Sequence, residues 1–315
     1  MSTAVDPGTS GGVAGAEAPL LSAENVTMRF GGLTAVSDVA MEVFPREIVG
    51  LIGPNGAGKT TFFNCLTGLY KPTSGRVVLD GRQLTSSPRK VVEAGMARTF
   101  QNIRLFQNMT ALENVMVGRY CRTRTGAISA ITRAFGFKAE EAATRAKSQE
   151  LLEFVGLGDS AEHLARNLPY GDQRRLEIAR ALATEPKVLL LDEPTAGMNP
   201  QETRQAEELI FKIRDTGLAV VVIEHDMRFI FNLCDRVLCL VRGKVLVEGT
   251  PEEVQSDPRV IEAYIGTSAE AEADLAGDDP TPQRVSDPTP QRVSDPTPQR
   301  FSDRPTEGSE RDGDA

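Results

Sequence analysis

Three short runs of the chain are apolar without interruption: Glu47-Ile-Val-Gly-Leu-Ile52, Lys187-Val-Leu-Leu-Leu-Asp192 and Leu218-Ala-Val-Val-Val-Ile223. A strand covered on one face alternates apolar and polar residues, whereas a strand of a parallel sheet is covered on both faces and loses that alternation. The three runs therefore predict a buried parallel sheet. Arg236–Val241 and Lys244–Val247 flank Arg242-Gly243, where glycine supplies the positive φ of a hairpin turn. Near the start, Leu21–Phe30 and Ala35–Phe44 predict another antiparallel pair. Between about Gly95 and Leu168 the pattern turns helical, and Lys138–Phe154 is rich in strong helix formers, so this block is read as an insertion between strands of the sheet.

Composition separates the middle of the chain from its ends. With 40% hydrophobic and 25% charged residues in 315, a full-sized core is expected. Residues 1–18 are mostly Gly, Ala, Ser and Pro with almost no aliphatic run, and 268–315 have no apolar periodicity, so both are expected to be disordered. The tail repeats the octapeptide Asp279–Ser286 from Asp287 and again from Asp295. Two prolines in each repeat oppose helix and sheet alike, which leaves an extended linker.

The tail also carries twelve Asp and Glu against five Arg, so seven of the nine net negative charges lie there. The remainder is near neutral, which argues against coating of nucleic acid through many Lys and Arg contacts. There is no run of 18–20 apolar residues and no basic segment followed by an apolar one at the start, so neither a membrane span nor a secretory signal is expected. Cys65, Cys121, Cys234 and Cys239 show no metal-type spacing with one another or with His163 and His225. Three of the four sit in apolar runs and read as buried thiols.

Gly53-Pro-Asn-Gly-Ala-Gly-Lys-Thr60 fits GxxxxGK[ST], directly after the strand ending at Ile52 and before the helical run that opens at Thr61. Glycines let successive N–H groups point into one concavity, and the following helix adds its positive end, so a polyphosphate is expected there. Lys59 would reach the β and γ phosphates, and the Thr60 hydroxyl would ligate Mg²⁺. Asp192 and Glu193 end the second apolar strand. Neighbouring carboxylates at a strand end can divide two tasks: Asp192 would hold Mg²⁺ through water and Glu193 would polarise the attacking water. His225 follows the third strand, where contact with the γ-phosphate is expected.

In this order the motifs resemble the ATP-binding cassette family over about residues 20–266. The resemblance implies an α/β P-loop NTPase with a RecA-like mixed-sheet core, an antiparallel β subdomain and an inserted α-helical subdomain. It divides the chain into an extension (1–18), an ATPase domain (19–267, helical insertion about 95–175) and the acidic tail (268–315). Gln101 stands at the Q-loop, which in the family senses Mg²⁺ and the membrane partner. Ala196–Asn199 stand at the D-loop and His225 at the H-loop. Phe30 is placed to stack on adenine.

The nucleotide would lie on Phe30, Gly53, Pro54, Asn55, Gly56, Ala57, Gly58, Lys59, Thr60 and Thr61 of one subunit and on the signature segment of another. That segment aligns with Leu168-Pro-Tyr-Gly-Asp172, giving Tyr170, Gly171 and Asp172 as contacts. It departs from the usual Leu-Ser-Gly-Gly-Gln, because Pro169 has neither a hydroxyl nor an N–H to offer and Asp172 replaces glutamine. Asn199 stands where many relatives have Asp.

Tyr-Gly-x-Gln-Arg-Arg, Ala97–Phe106 and Ala196–Pro200 together look like the LivG-type ATPase of branched-chain amino acid importers, as does the insertion from Tyr120 to Phe137. This implies two transmembrane permease subunits, a second ATPase, an indirectly coupled solute-binding protein and a place at the cytoplasmic face of the membrane. Ile103, Leu105 and Phe106 are expected to meet the permeases unless they pack in the core. Related ATPases serve urea or short-amide import. A non-transport ABC ATPase would usually carry two cassettes or a coiled coil, and this chain has one P-loop and no sustained heptads.

Overall fold

A computed structural model describes residues 18–122 and 135–265. Apart from residue 18, the N-terminal extension lies outside the described residues, as do the repeat tail and most of the 120–137 insertion.

The larger sheet has six strands in the order β10-β9-β3-β8-β7-β6. They are β3 (Ile48–Ile52), β6 (Met96–Arg98), β7 (Val188–Asp192), β8 (Ala219–Ile223), β9 (Arg236–Val241) and β10 (Lys244–Gly249). All neighbours pair parallel except β9 and β10. The uninterrupted apolar runs are explained by where alternate side chains go. Ile48 and Ile52, Leu189 and Leu191, and Val220 and Val222 enter one core cluster, while Val49 and Leu51, Val188 and Leu190, and Val221 and Ile223 enter another. Each strand is thus greasy on both faces, as the sequence requires.

The second sheet, β2-β1-β4-β5, is antiparallel. It contains β1 (Leu21–Phe30), β2 (Leu33–Val43), β4 (Ser74–Leu79) and β5 (Arg82–Gln83). Between the sheets lies α1 (Lys59–Leu66), with Phe62 and Phe63 fully buried. Each such ring contributes about 1.5–3 kcal/mol of burial, which clamps the helix that carries the phosphate loop. The opposite face of the six-stranded sheet is covered by the helical block and by α6 (Pro200–Asp215) and α7 (Met227–Leu233). The block itself comprises α3 (Ala111–Arg119), α4 (Phe135–Phe154) and α5 (Tyr170–Leu182), preceded by the short α2 (Pro88–Ala94).

Two details differ from the sequence reading. The stretch after Gly95 is not yet helical: Met96–Arg98 adds a parallel edge strand to β7. Three residues are too few to show a period, and only the neighbouring strand reveals the pairing. In the β9–β10 turn both Arg242 (φ 49°) and Gly243 (φ 78°) are left-handed, as a type I′ turn demands, so glycine is not alone in that conformation.

Candidate functional site

Gly53, Glu193 and Glu224-His225 all follow the carboxyl ends of parallel strands, where open α/β sheets place their ligands. Gly53 (φ 149°) leaves β3 with no room for a side chain, since a Cβ there would stand 2.1 Å from the Leu240 carbonyl oxygen. Gly58 (φ 99°) is crowded likewise, at 2.5 Å from the Ala35 carbonyl. The intervening Asn55 and Gly56 are exposed, Pro54 and Ala57 are buried, and Thr60 and Thr61 open α1 with Thr60 exposed. The loop curls around the Lys59 ammonium, which donates to the Gly53 carbonyl at 2.5 Å and to the Pro54 carbonyl at 3.1 Å. Burial pushes the Lys59 ammonium below the usual lysine range, while the Glu193 carboxylate pulls it back up. A polyphosphate would relieve that desolvation by giving the cation a partner.

Gln101, Glu193 and His225, predicted from three separate segments, meet in one hydrogen-bonded group. Gln101 Nε2 donates to Glu193 Oε2 at 2.8 Å, and His225 Nε2 lies 2.8 Å from Glu193 Oε1. Glu193 is in the left-handed region (φ 48°), a conformation that costs a residue with a side chain roughly 1–3 kcal/mol and that recurs at active sites. Its N–H donates to the Ile223 carbonyl at 2.9 Å, so β8 holds the strained turn in place. Such a carboxylate, oriented by two partners, can accept a proton from a water molecule.

Asp192 is 5% exposed and forms an ion pair with Arg98 at 2.5 Å. For a divalent cation the nearby predicted ligands are a hydroxyl (Thr60), an amide carbonyl (Gln101) and a carboxylate (Asp192). Among the described residues no group of three or more His, Cys, Asp and Glu could hold a metal by itself. An all-oxygen set with few protein ligands fits Mg²⁺, which completes its shell with phosphate oxygens and water.

Phe30 ends β1 and is 43% exposed; its ring meets Tyr70 edge-on, centroids 5.4 Å apart. It is therefore a surface aromatic rather than a core side chain.

Tyr170, Gly171 and Asp172 lie at the start of α5, where Pro169 occupies the N-cap position. Their partners are structural. Tyr170 accepts a hydrogen bond from Arg174 at 3.0 Å, Asp172 pairs with Arg175, and a Cβ on Gly171 would come within 3.0 Å of Glu202 Oε1. Arg174 reaches further, donating from Nη1 to the Phe100 carbonyl at 2.8 Å and from Nη2 to the Gln101 carbonyl. Helix α5 thus grips the backbone of the Gln101 segment. Asn199 caps α6, accepting from Gln201 N–H at 2.9 Å and Glu202 N–H at 3.0 Å, a job that Asp does equally well.

The family model described as ABC transporter matches residues 36–196, just over half of the chain. The chain belongs to the ABC transporter family. A second model, described as branched-chain amino acid ATP-binding cassette transporter, matches residues 244–270. Over 250 residues the chain is 46% identical to the high-affinity branched-chain amino acid transport ATP-binding protein LivG of Escherichia coli K12, covering 79% of this chain and 98% of LivG. Identity to the corresponding BraF protein of Pseudomonas aeruginosa is 44% over 250 residues, with the same coverage. A solved ABC transporter cassette in its ADP conformation superimposes with a TM-score of 0.69 at 32% identity, covering 79% of this chain and 99% of that one. The ABC cassette of this chain is accordingly a nucleotide-binding ATPase domain, and among the described residues no helix is long and apolar enough to cross a membrane.

Several residues of the ABC site carry no motif that reading along the chain could detect. Tyr264 accepts a hydrogen bond from the Gly53 N–H at 2.8 Å, and burial raises its phenol pKa so that it stays protonated. Gly243 donates to the Ala57 carbonyl at 2.9 Å while its own carbonyl accepts from Ser37 N–H at 2.7 Å, so the hairpin turn buttresses the phosphate loop. Glu224, 4% exposed, accepts from the Thr195 N–H at 2.8 Å and from its hydroxyl, tying the segment before His225 to the loop after Glu193.

Proposed function

We propose that this chain is the ATP-binding and ATP-hydrolysing subunit of an importer of branched-chain amino acids, peripheral at the cytoplasmic face of the membrane and bound to two permease subunits and a second ATPase. The observation that carries the catalytic half is the Gln101–Glu193–His225 group beside the Lys59 loop. Identity to LivG and BraF, with the match over 244–270, supports the choice of cargo. The working part is the cassette of residues 19–267, with the acidic segment 268–315 outside it.

In this reading Lys59, Thr60 and the glycines of the loop bind the triphosphate, Phe30 stacks on the base, and Thr60, Asp192 and Gln101 hold Mg²⁺. When bound, the metal would neutralise charge on the phosphate oxygens. Glu193 takes the proton of the attacking water, and His225 and Gln101 hold that carboxylate in position. Tyr170, Gly171 and Asp172 close over the nucleotide of the neighbouring subunit, so hydrolysis waits on association.

Permease docking is assigned to a cleft of about 250 Å³ that includes Val92, Ala97, Phe106, Val117 and Arg180. Phe106 is 49% exposed there, whereas Leu105 is buried and Ile103 packs partly against the core. Of the three apolar side chains considered from sequence, Phe106 is the one presented on the surface.

Reconstitution in liposomes with its permeases, second ATPase and solute-binding protein tests the whole reading. ATP-dependent uptake of labelled leucine is expected, and Glu193→Gln should abolish it. Uptake of urea or a short amide without leucine would overturn the cargo, and loss of neither binding nor hydrolysis in Lys59→Ala would overturn the site.

A further inference from the structure

Arg98 is a buried cation that no nucleotide-binding motif calls for. Its Nη2 donates to Asp192 Oδ2 at 2.5 Å and its Nη1 to Asn64 Oδ1 at 2.6 Å. The guanidinium lies 5.5 Å from the Phe63 ring centroid and 5.1 Å from that of Phe100. Both side chains of the ion pair are 7% exposed. Aromatic faces stabilise a desolvated cation, and a fork with two fixed acceptors orients what it holds. The Arg98 Nε is buried without a hydrogen-bond partner among the described residues. A buried polar atom left so is a cost, which the pairing at the other end of the guanidinium must offset.

We propose that Arg98 is a positioning residue of the metal site, fixing the Asp192 carboxylate and joining it to the strand that leads to Gln101. One oxygen of Asp192 is held by the fork and Oδ1 is left for the ion. Asn64 belongs to α1, so the guanidinium also ties Asp192 to the helix that begins with Lys59 and Thr60. Thr99 adds a second link, its hydroxyl accepting from Asp192 N–H at 3.4 Å while its N–H donates to the Leu190 carbonyl at 2.9 Å. Two residues three apart thereby contact the two strand-end carboxylates: Arg98 holds Asp192 and Gln101 holds Glu193. Arg98 also lines the cleft that includes Phe106 and Arg180, so one side chain spans from that surface to the metal site.

The proposal rests on reading Asp192 as a metal ligand, and the test separates the two. Mn²⁺ titrations followed by electron paramagnetic resonance on the full chain with saturating ADP would compare wild type, Arg98→Met, Arg98→Lys and Asp192→Asn. Metal-free ADP binding would be measured for each. Arg98→Met is expected to raise the Mn²⁺ midpoint about tenfold while metal-free ADP affinity stays within about twofold, because the missing group orders the carboxylate rather than the phosphate loop. Arg98→Lys keeps the charge but cannot span Asn64 and Asp192, so an intermediate midpoint is expected. A wild-type or lower midpoint in Arg98→Met overturns the proposal. If that variant does not fold, a wild-type midpoint in Arg98→Lys does so. A wild-type midpoint in Asp192→Asn would instead remove the reading on which it stands.

Discussion

The two halves of the proposed nucleotide site are built differently. Around Lys59 and Glu193 the polar groups bond inward: the Gln101 and His225 side chains to Glu193, the Lys59 ammonium to carbonyls of its own loop, and the Gly53 N–H to Tyr264. Around Tyr170–Asp172 the same inventory yields structural bonds, to Arg174, to Arg175 and a close packing on Glu202. The first half is assembled within one chain, because β3, β7 and β8 are neighbours in one sheet. The second presents backbone at a helix start, where unpaired N–H groups favour an anion from elsewhere. It is also the half whose sequence departs from the family pattern, at Pro169 and Asp172. Backbone donors tolerate such changes as long as the helix start keeps its shape.

The sharpest break of this comparison is Glu193→Gln. Loss of the general base should lower steady-state hydrolysis by about 10²–10⁴-fold with ATP binding retained, measured by phosphate release and by filter binding. Full turnover would show that the bonded group is not the chemical centre. Next in size, Lys59→Ala should weaken ATP binding by about 1.5–3 kcal/mol, the range for hydrogen bonds to charged groups.

A pH series refines that second outcome. Burial lowers the Lys59 pKa, so its charge is lost at a lower pH than in an exposed lysine. ATP affinity should therefore hold near neutral pH and fall as pH rises through that depressed value. Folding has the opposite sign, since the unfolded lysine binds its proton more tightly and deprotonation favours the native state. Calorimetric titrations across pH should show the alkaline fall in wild type and a flat profile in Lys59→Ala.

Gly171→Ala addresses the other half. Its Cβ would come within 3.0 Å of Glu202 Oε1, the end of a side chain that also accepts from the Asn199 N–H at 2.9 Å in the cap of α6; Glu202 must shift slightly while alanine gains helix propensity, so a net change of no more than about 1 kcal/mol is expected in thermal unfolding. ATP affinity of the isolated chain should stay within about twofold, while ATP-driven association in sedimentation should weaken. Equal loss of both would erase the distinction between the halves. A comparably small effect belongs to Tyr264→Phe, which removes the acceptor of the Gly53 N–H and should reduce ATP affinity by about 1 kcal/mol, read by the same titration.

Much of this was legible along the chain because it depends on neighbours in sequence. Continuous apolar runs located β3, β7 and β8 to within a residue or two, since two-sided burial leaves no polar positions. The loop at 53–60 declared itself through glycines, Lys59 and Thr60, whose spacing alone sets which backbone groups converge. The chemical types at Gln101, Glu193 and His225 were likewise readable from their places in the family pattern.

What only the tertiary structure decided are the partners that come from far along the chain. Nothing near Gly53 announces Tyr264, nothing near Ala57 announces Gly243, and Arg98 could not be paired with Asp192 until β6 lay beside β7. The same holds for Phe106 staying exposed while Leu105, next to it, enters the core. Local pattern encodes which face is apolar and where the backbone can turn, whereas strand order determines which distant side chain fills the remaining hydrogen bond or meets the buried charge.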